Sequence, residues 1–171
     1  DGLQISPRGP ADVLSYATAE EQEEIREAMR ATGLAVASAG LNIANQFPVA
    51  EDPRAPAWLI QTVDAAAELG ARATLIGFFG KGNLLGADKK LKKAETDILV
   101  ERLKAAAPHA EDKGVALGLE NTLSAEQNLE ILERVGSPAV QVYYDIANST
   151  SNGYDVPAEI RALKGRICEI H

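Results

Sequence analysis

The sequence is poor in several features that identify large classes of proteins. A single cysteine, Cys168, excludes an internal disulfide and is typical of a reducing compartment. No apolar stretch approaches the roughly 18 residues that a membrane span needs. Basic residues are outnumbered, and the formal net charge of −8 would repel a polyanion, because binding phosphates requires clustered cations. We therefore expect neither a nucleic acid nor a membrane among the partners.

The chain also lacks a recognisable signal peptide, and it begins at Asp1 rather than at a methionine. We expect a cytoplasmic location, while a targeting segment ahead of Asp1 stays open. No linker or low-complexity region divides the sequence, so residues 1–171 are expected to form a single domain. The chain is shorter than the roughly 250 residues of a complete eight-stranded α/β barrel.

Short apolar runs alternate with helical patterns along the whole chain. The runs predict strands at 2–6, 34–39, 72–78, 115–120, 140–145 and 166–170. The patterns between them predict helices at 19–32, 55–70, 91–112, 125–135 and 157–164, with a kink or interruption at Pro108. Repeated strand–helix–strand units favour a parallel sheet with right-handed connections. Trp58 and Phe47 are interpreted as packing residues.

Two architectures accommodate this alternation, namely a barrel and an open doubly wound sheet. The open sheet favours a glycine-rich phosphate loop after its first strand. Here residues 6–10 read SPRGP, and the later stretch 77–86, GFFGKGNLLG, lacks both the spacing and the lysine–serine ending of such a loop. The sequence therefore favours the barrel.

Three residues that can bind a metal follow three consecutive predicted strands. Glu120, Asp145 and His171 end the runs VALGLE, VQVYYD and RICEIH, with spacings of 25 and 26 residues. Strands of a parallel barrel all open onto one face at their C-terminal ends, where active sites lie. Each residue alone has an ordinary interpretation, as a helix cap, a turn or a chain end. Their coincidence predicts part of a cage for a divalent cation.

The Glu of GLEN, the Asp of YYDIAN and the His after EI together resemble the xylose isomerase-like TIM barrel superfamily. That group contains sugar phosphate isomerases and epimerases, inosose dehydratases and endonuclease IV enzymes. The resemblance implies a (β/α)8 TIM barrel of which this chain covers strands two to seven, with the first and last strands missing. It also implies that Glu120, Asp145 and His171 bind one divalent ion, and that a fourth ligand, a Glu after strand eight, lies outside the chain. Mixed carboxylate and imidazole ligation suits Mn²⁺, Mg²⁺ or Co²⁺, with Zn²⁺ as a further candidate.

The same resemblance implies an activity and its residues. We expect a metal-dependent isomerase or epimerase of a small sugar or keto-polyol, with Glu120 as the catalytic base. Asn148, where the epimerases often carry a substrate-contacting His, and Asn42, beyond the second strand, are expected substrate contacts. The full-length protein is a candidate homo-oligomer.

Three other activities stay open from the sequence. An inosose-type dehydratase shares the first chemical step. An endonuclease IV-like repair enzyme would need additional histidines, where this chain has Asn42, Phe79 and Asn148. A barrel that binds a ligand without catalysis is the third alternative.

Overall fold

Six parallel strands lie side by side in the order in which they occur in the chain. The structure is a computed structural model that describes residues 1–171. The strands are β1 (Gly2–Ile5), β2 (Ala35–Leu41), β3 (Ala73–Gly77), β4 (Ala116–Glu120), β5 (Val140–Tyr144) and β6 (Ile167–Ile170). Every neighbouring pair is parallel. The predicted α/β fold is therefore confirmed, as a half-barrel that matches an incomplete TIM barrel.

Helices connect the successive strands. They are α1 (Ala19–Thr32), α2 (Ala55–Glu68), α3 (Lys93–Lys113), α4 (Ala125–Val135), α5 (Ile146–Ser151) and α6 (Val156–Ala162). Helices α1 and α4 have the predicted limits because a hydroxyl caps each start and a glycine with positive φ ends each one. Helix α5 was not predicted, since six residues are too few to show helical periodicity. None of the helices combines the length and the apolar content of a membrane span.

Pro108 does not interrupt the third helix, so the predicted interruption is wrong, whereas the predicted kink stays a prediction. Helix α3 continues through Pro108 to Lys113. Proline removes one backbone hydrogen bond from a helix. Buried residues on both sides of it, Leu103, Ala106 and Ala110, pack into the core and hold the two halves of the helix against the sheet.

A charged and aromatic cluster fixes the loop after β2 against α2. The guanidinium of Arg54 lies 4.5 Å from the ring centroid of Trp58 and 5.5 Å from that of Phe47. The same group donates hydrogen bonds to both carboxylate oxygens of Asp52, at 2.9 and 2.7 Å. Trp58 is fully buried, and its indole N–H donates to the carbonyl of Ala11 (2.8 Å). The loops after β1 and β2 are thereby tied to the start of α2.

We predict that Asp52→Asn destabilises the fold at neutral pH and has little effect in acid. Arg54 lowers the pKa of Asp52 through its hydrogen bonds, so this carboxylate stabilises the folded state above its unfolded pKa of about 3.9. The contribution is lost as pH falls through the lower, folded-state pKa. Urea unfolding should show a loss of about 1–2 kcal/mol at pH 7, shrinking toward pH 3.

Glu101→Gln is the matched control, because Glu101 pairs with Lys104 on an exposed helix face. It should change the free energy of unfolding little at either pH. An Asp52→Asn effect of equal size at both pH values would contradict the assignment.

Candidate functional site

The three predicted metal ligands meet at the C-terminal edge of the sheet. Glu120 is the last residue of β4, and Asp145 and His171 directly follow β5 and β6. Each offers a ligand atom, and these atoms all lie within 4.8 Å of one another. The Nδ1 atom of His171 is 2.7 Å from Oε1 of Glu120 and 3.8 Å from Oδ2 of Asp145.

Backbone hydrogen bonds hold His171 in this position. Its N–H donates to the carbonyl of Tyr144 (2.8 Å), and its own carbonyl accepts from the N–H of Ile146 (3.2 Å). These two bonds continue the parallel pairing of β5 and β6 by one residue beyond the last strand residue. The imidazole is therefore placed beside Asp145 by the sheet itself.

Burial and charge are unequal among the three side chains. Glu120 is 6% exposed, whereas the His171 side chain is 59% exposed. Burial raises the pKa of Glu120 above its usual value, and the nearby Asp145 raises it further. The hydrogen bond from His171 acts in the opposite direction and lowers it. The hydrogen bond to Glu120 in turn raises the pKa of His171. Two neighbouring carboxylates, one of them buried, favour the binding of a cation.

The arrangement fits a small divalent ion. Two ligands at about 2.1 Å from one ion lie at most about 4.2 Å apart. Both distances from His171 fall within that limit, and the ligand atoms of all three residues lie within 4.8 Å of one another. Two carboxylates and one imidazole are ligand types that suit Mn²⁺, Mg²⁺, Co²⁺ and Zn²⁺. Metal binding would displace the proton shared by Glu120 and His171.

The two predicted substrate contacts differ in their relation to this cluster. Asn148 lies against Asp145 and donates to it from both the backbone and the side chain. Asn42 lies in a 3-10 turn directly after β2, is exposed, and donates to Oγ of Ser6 (3.0 Å). The hydrogen-bond partner of Asn42 is thus Ser6 rather than any of the three ligands. Both substrate roles stay predictions.

Sequence reasoning missed the residue that lies one layer below the ligands. Tyr143 projects into the barrel interior from β5, and its hydroxyl is 3.3 Å from Oγ of Ser38 on β2. The ring meets that of His171 edge to face, with centroids 6.0 Å apart. Gly118 makes room for the ring, since a Cβ there would lie 3.1 Å from Cδ2 of Tyr143. The side chain of Tyr143 forms a floor under the candidate site.

A second missed residue is Asn45, whose side chain fills the space that a side chain at position 77 would occupy. Gly77 is the register partner of Glu120, and a Cβ on Gly77 would lie 2.7 Å from Oδ1 of Asn45. That oxygen accepts a hydrogen bond from the N–H of Phe79 (3.0 Å). The signal in the sequence was the glycine inside an apolar strand, which marks a close approach by another group.

Comparisons with known proteins concern the family and the fold of the chain. The family model described as "Xylose isomerase-like TIM barrel" matches residues 1–171. A 2-epi-5-epi-valiolone 7-phosphate 2-epimerase of Actinoplanes sp. is 24% identical over 156 residues, which cover 91% of this chain and 56% of that protein.

Solved structures show the same fold. An L-ribulose 3-epimerase is 25% identical, with a TM-score of 0.73, and the match covers 100% of this chain and 59% of that one. A xylose isomerase-like TIM barrel protein from Mycobacterium smegmatis, solved in complex with magnesium, has a TM-score of 0.75 at 20% identity, covering 98% and 60% of the two chains. The chain thus spans somewhat more than half the length of these relatives. Because the family model matches all of its residues, the chain belongs to the xylose isomerase-like TIM barrel family.

Proposed function

We propose that the protein carrying this chain is a divalent-metal-dependent sugar isomerase or epimerase. The observation that carries the proposal is the convergence of Glu120, Asp145 and His171 at the active face of the barrel, with ligand atoms within 4.8 Å of one another. The names of two relatives, an L-ribulose 3-epimerase and a 2-epi-5-epi-valiolone 7-phosphate 2-epimerase, support a carbohydrate-type substrate.

The difficult step in this chemistry is removal of a proton from the carbon next to a carbonyl. Asp145, His171 and Glu120 would hold the ion. When bound, a divalent ion supplies Lewis-acid stabilisation of the negative charge that develops on the carbonyl oxygen.

Glu120 is proposed as the base. Its carboxylate takes the proton, and the C–H electron pair moves toward the carbonyl oxygen to give an enediolate. Return of a proton to the opposite face of the same carbon inverts that centre, and return to the neighbouring carbon moves the carbonyl. Inversion needs a second acid–base group on the other face of the substrate. While no ion is bound, burial raises the pKa of Glu120, because desolvation disfavours the charged form of this carboxyl group.

The remaining assignments are part of the same proposal. Asn42 and Asn148 would contact substrate hydroxyl groups, and the partner is a small sugar or keto-polyol rather than a nucleic acid. Asn42 is exposed at the end of β2, so its amide oxygen is accessible to a ligand. The cytoplasmic location and any assembly into homo-oligomers stay predictions.

We predict that the intact protein, purified without chelator, contains about one divalent ion per chain. Elemental analysis measures the content, and calorimetric titration with Mn²⁺ measures the affinity. His171→Ala should weaken Mn²⁺ binding by more than about 100-fold, because it removes a direct ligand. Glu111→Gln, an exposed carboxylate on α3, is the control and should bind normally. Finding no ion and no Mn²⁺ binding would contradict the metal assignment.

We predict that Glu120→Gln abolishes incorporation of solvent deuterium at the substrate carbon next to the carbonyl. Glutamine keeps the size of the side chain but cannot accept the proton. A screen of keto-sugars with Mn²⁺ in deuterium oxide, read by NMR, identifies a substrate for the wild-type protein and then tests the variant. Circular dichroism should show an intact fold, and Glu126→Gln on α4 should exchange at the wild-type rate. Normal exchange by Glu120→Gln would exclude Glu120 as the base.

A further inference from the structure

One residue holds both oxygens of the Asp145 carboxylate. The backbone N–H of Asn148 donates to Oδ1 (2.8 Å), and the side-chain amide of the same residue donates to Oδ2 (2.9 Å). The first bond is the N-terminal cap of α5, which any residue except proline at position 148 could provide. The second requires a side-chain donor of suitable length.

The chemistry of the amide determines its orientation. The amide nitrogen has two N–H donors, whereas the amide oxygen only accepts. Exchanging the two atoms would bring an acceptor oxygen against Oδ2 of Asp145, with no hydrogen between them. The orientation in which Asn148 donates is therefore the favourable one.

The backbone of Asn148 is itself fixed. Its carbonyl accepts hydrogen bonds from the N–H and from the side-chain amide of Asn152, the latter at 2.8 Å. The following residue, Ser149, is buried, and its carbonyl accepts from the N–H of Tyr154 (3.1 Å). Helix α5 thus anchors the residue that contacts Asp145.

We infer that Asn148 is a positioning residue that holds Asp145 ready to bind the cation through Oδ2. The inference deepens the proposed function and rests on it. Each carboxylate oxygen has two lone pairs, and Asn148 occupies one on each. Oδ2 also lies 3.8 Å from Nδ1 of His171, so its remaining lone pair is on the atom that faces the other ligands. Hydrogen bonds from such neighbouring groups orient metal ligands and affect metal affinity.

The two carboxylates of the site differ in the hydrogen bonds that hold them. Asp145 is restrained by two hydrogen bonds from a neighbour on its own helix, which suits a ligand that stays in place. The side chain of Glu120 instead makes its hydrogen bond to His171, across the site.

Mn²⁺ affinity of the intact protein tests the inference. Asn148→Ala removes only the side-chain donor, and calorimetry should show binding weakened by about 10–100-fold. Thr150→Ala is the matched control, because it removes an exposed hydroxyl that bonds within α5, to the carbonyl of Ile146, and contacts neither Asn148 nor Asp145. Its affinity should stay within about twofold of wild type. If Asn148→Ala lowers the melting temperature strongly, Asn148→Ser, which also lacks the amide, replaces it.

The outcomes separate the possible roles of Asn148. Weakened Mn²⁺ binding in Asn148→Ala alone supports positioning. Unchanged Mn²⁺ affinity with a raised KM would overturn the inference and leave Asn148 as a substrate contact only. Equal weakening in Asn148→Ala and Thr150→Ala would also overturn it, since the cause would then be loss of α5. No Mn²⁺ binding by the wild-type protein would overturn both this inference and the metal part of the proposed function.

Discussion

Parallel pairing of neighbouring strands brings their last residues to one edge of the sheet, and the candidate site depends on this constraint. The register of β3, β4 and β5 sets Glu120 opposite Gly77 and places Asp145 one strand further along. Two backbone hydrogen bonds extend the pairing of β5 and β6 to His171. Residues that are 25 and 26 positions apart in sequence thus become neighbours. A shift in register would separate the ligand atoms.

The environment of the cluster follows from the packing beneath and beside it. Tyr143 closes the interior below the ligands, where Gly118 leaves room for its ring. Glu120 is consequently buried, and this burial raises its pKa despite the hydrogen bond from His171. A buried environment disfavours an isolated negative charge on Glu120. It therefore favours either a bound cation or the protonated form of the carboxyl group.

Local rules predicted most of the secondary structure and failed where packing opposes them. The capped helices α1 and α4 have their predicted ends because the capping interactions are made by adjacent residues. Pro108 predicts a kink or an interruption of α3, but tertiary contacts of the surrounding alanine and leucine residues keep the helix continuous. Helix α5 is too short for a periodic signal, so the position of Asn148 against Asp145 was also invisible.

By itself the sequence determined the alternation of strands and helices, the residue types at the strand ends and their spacing. These properties are local or periodic, and they are sufficient to indicate a barrel and a set of candidate ligands. Tertiary structure alone decided that a Tyr143 ring lies under the site, that Asn42 bonds to Ser6, and that Asn148 holds both oxygens of Asp145. The first two contacts depend on the distance between separate strands and loops, and the third depends on the direction of side chains within one turn. No pattern along the chain encodes either property.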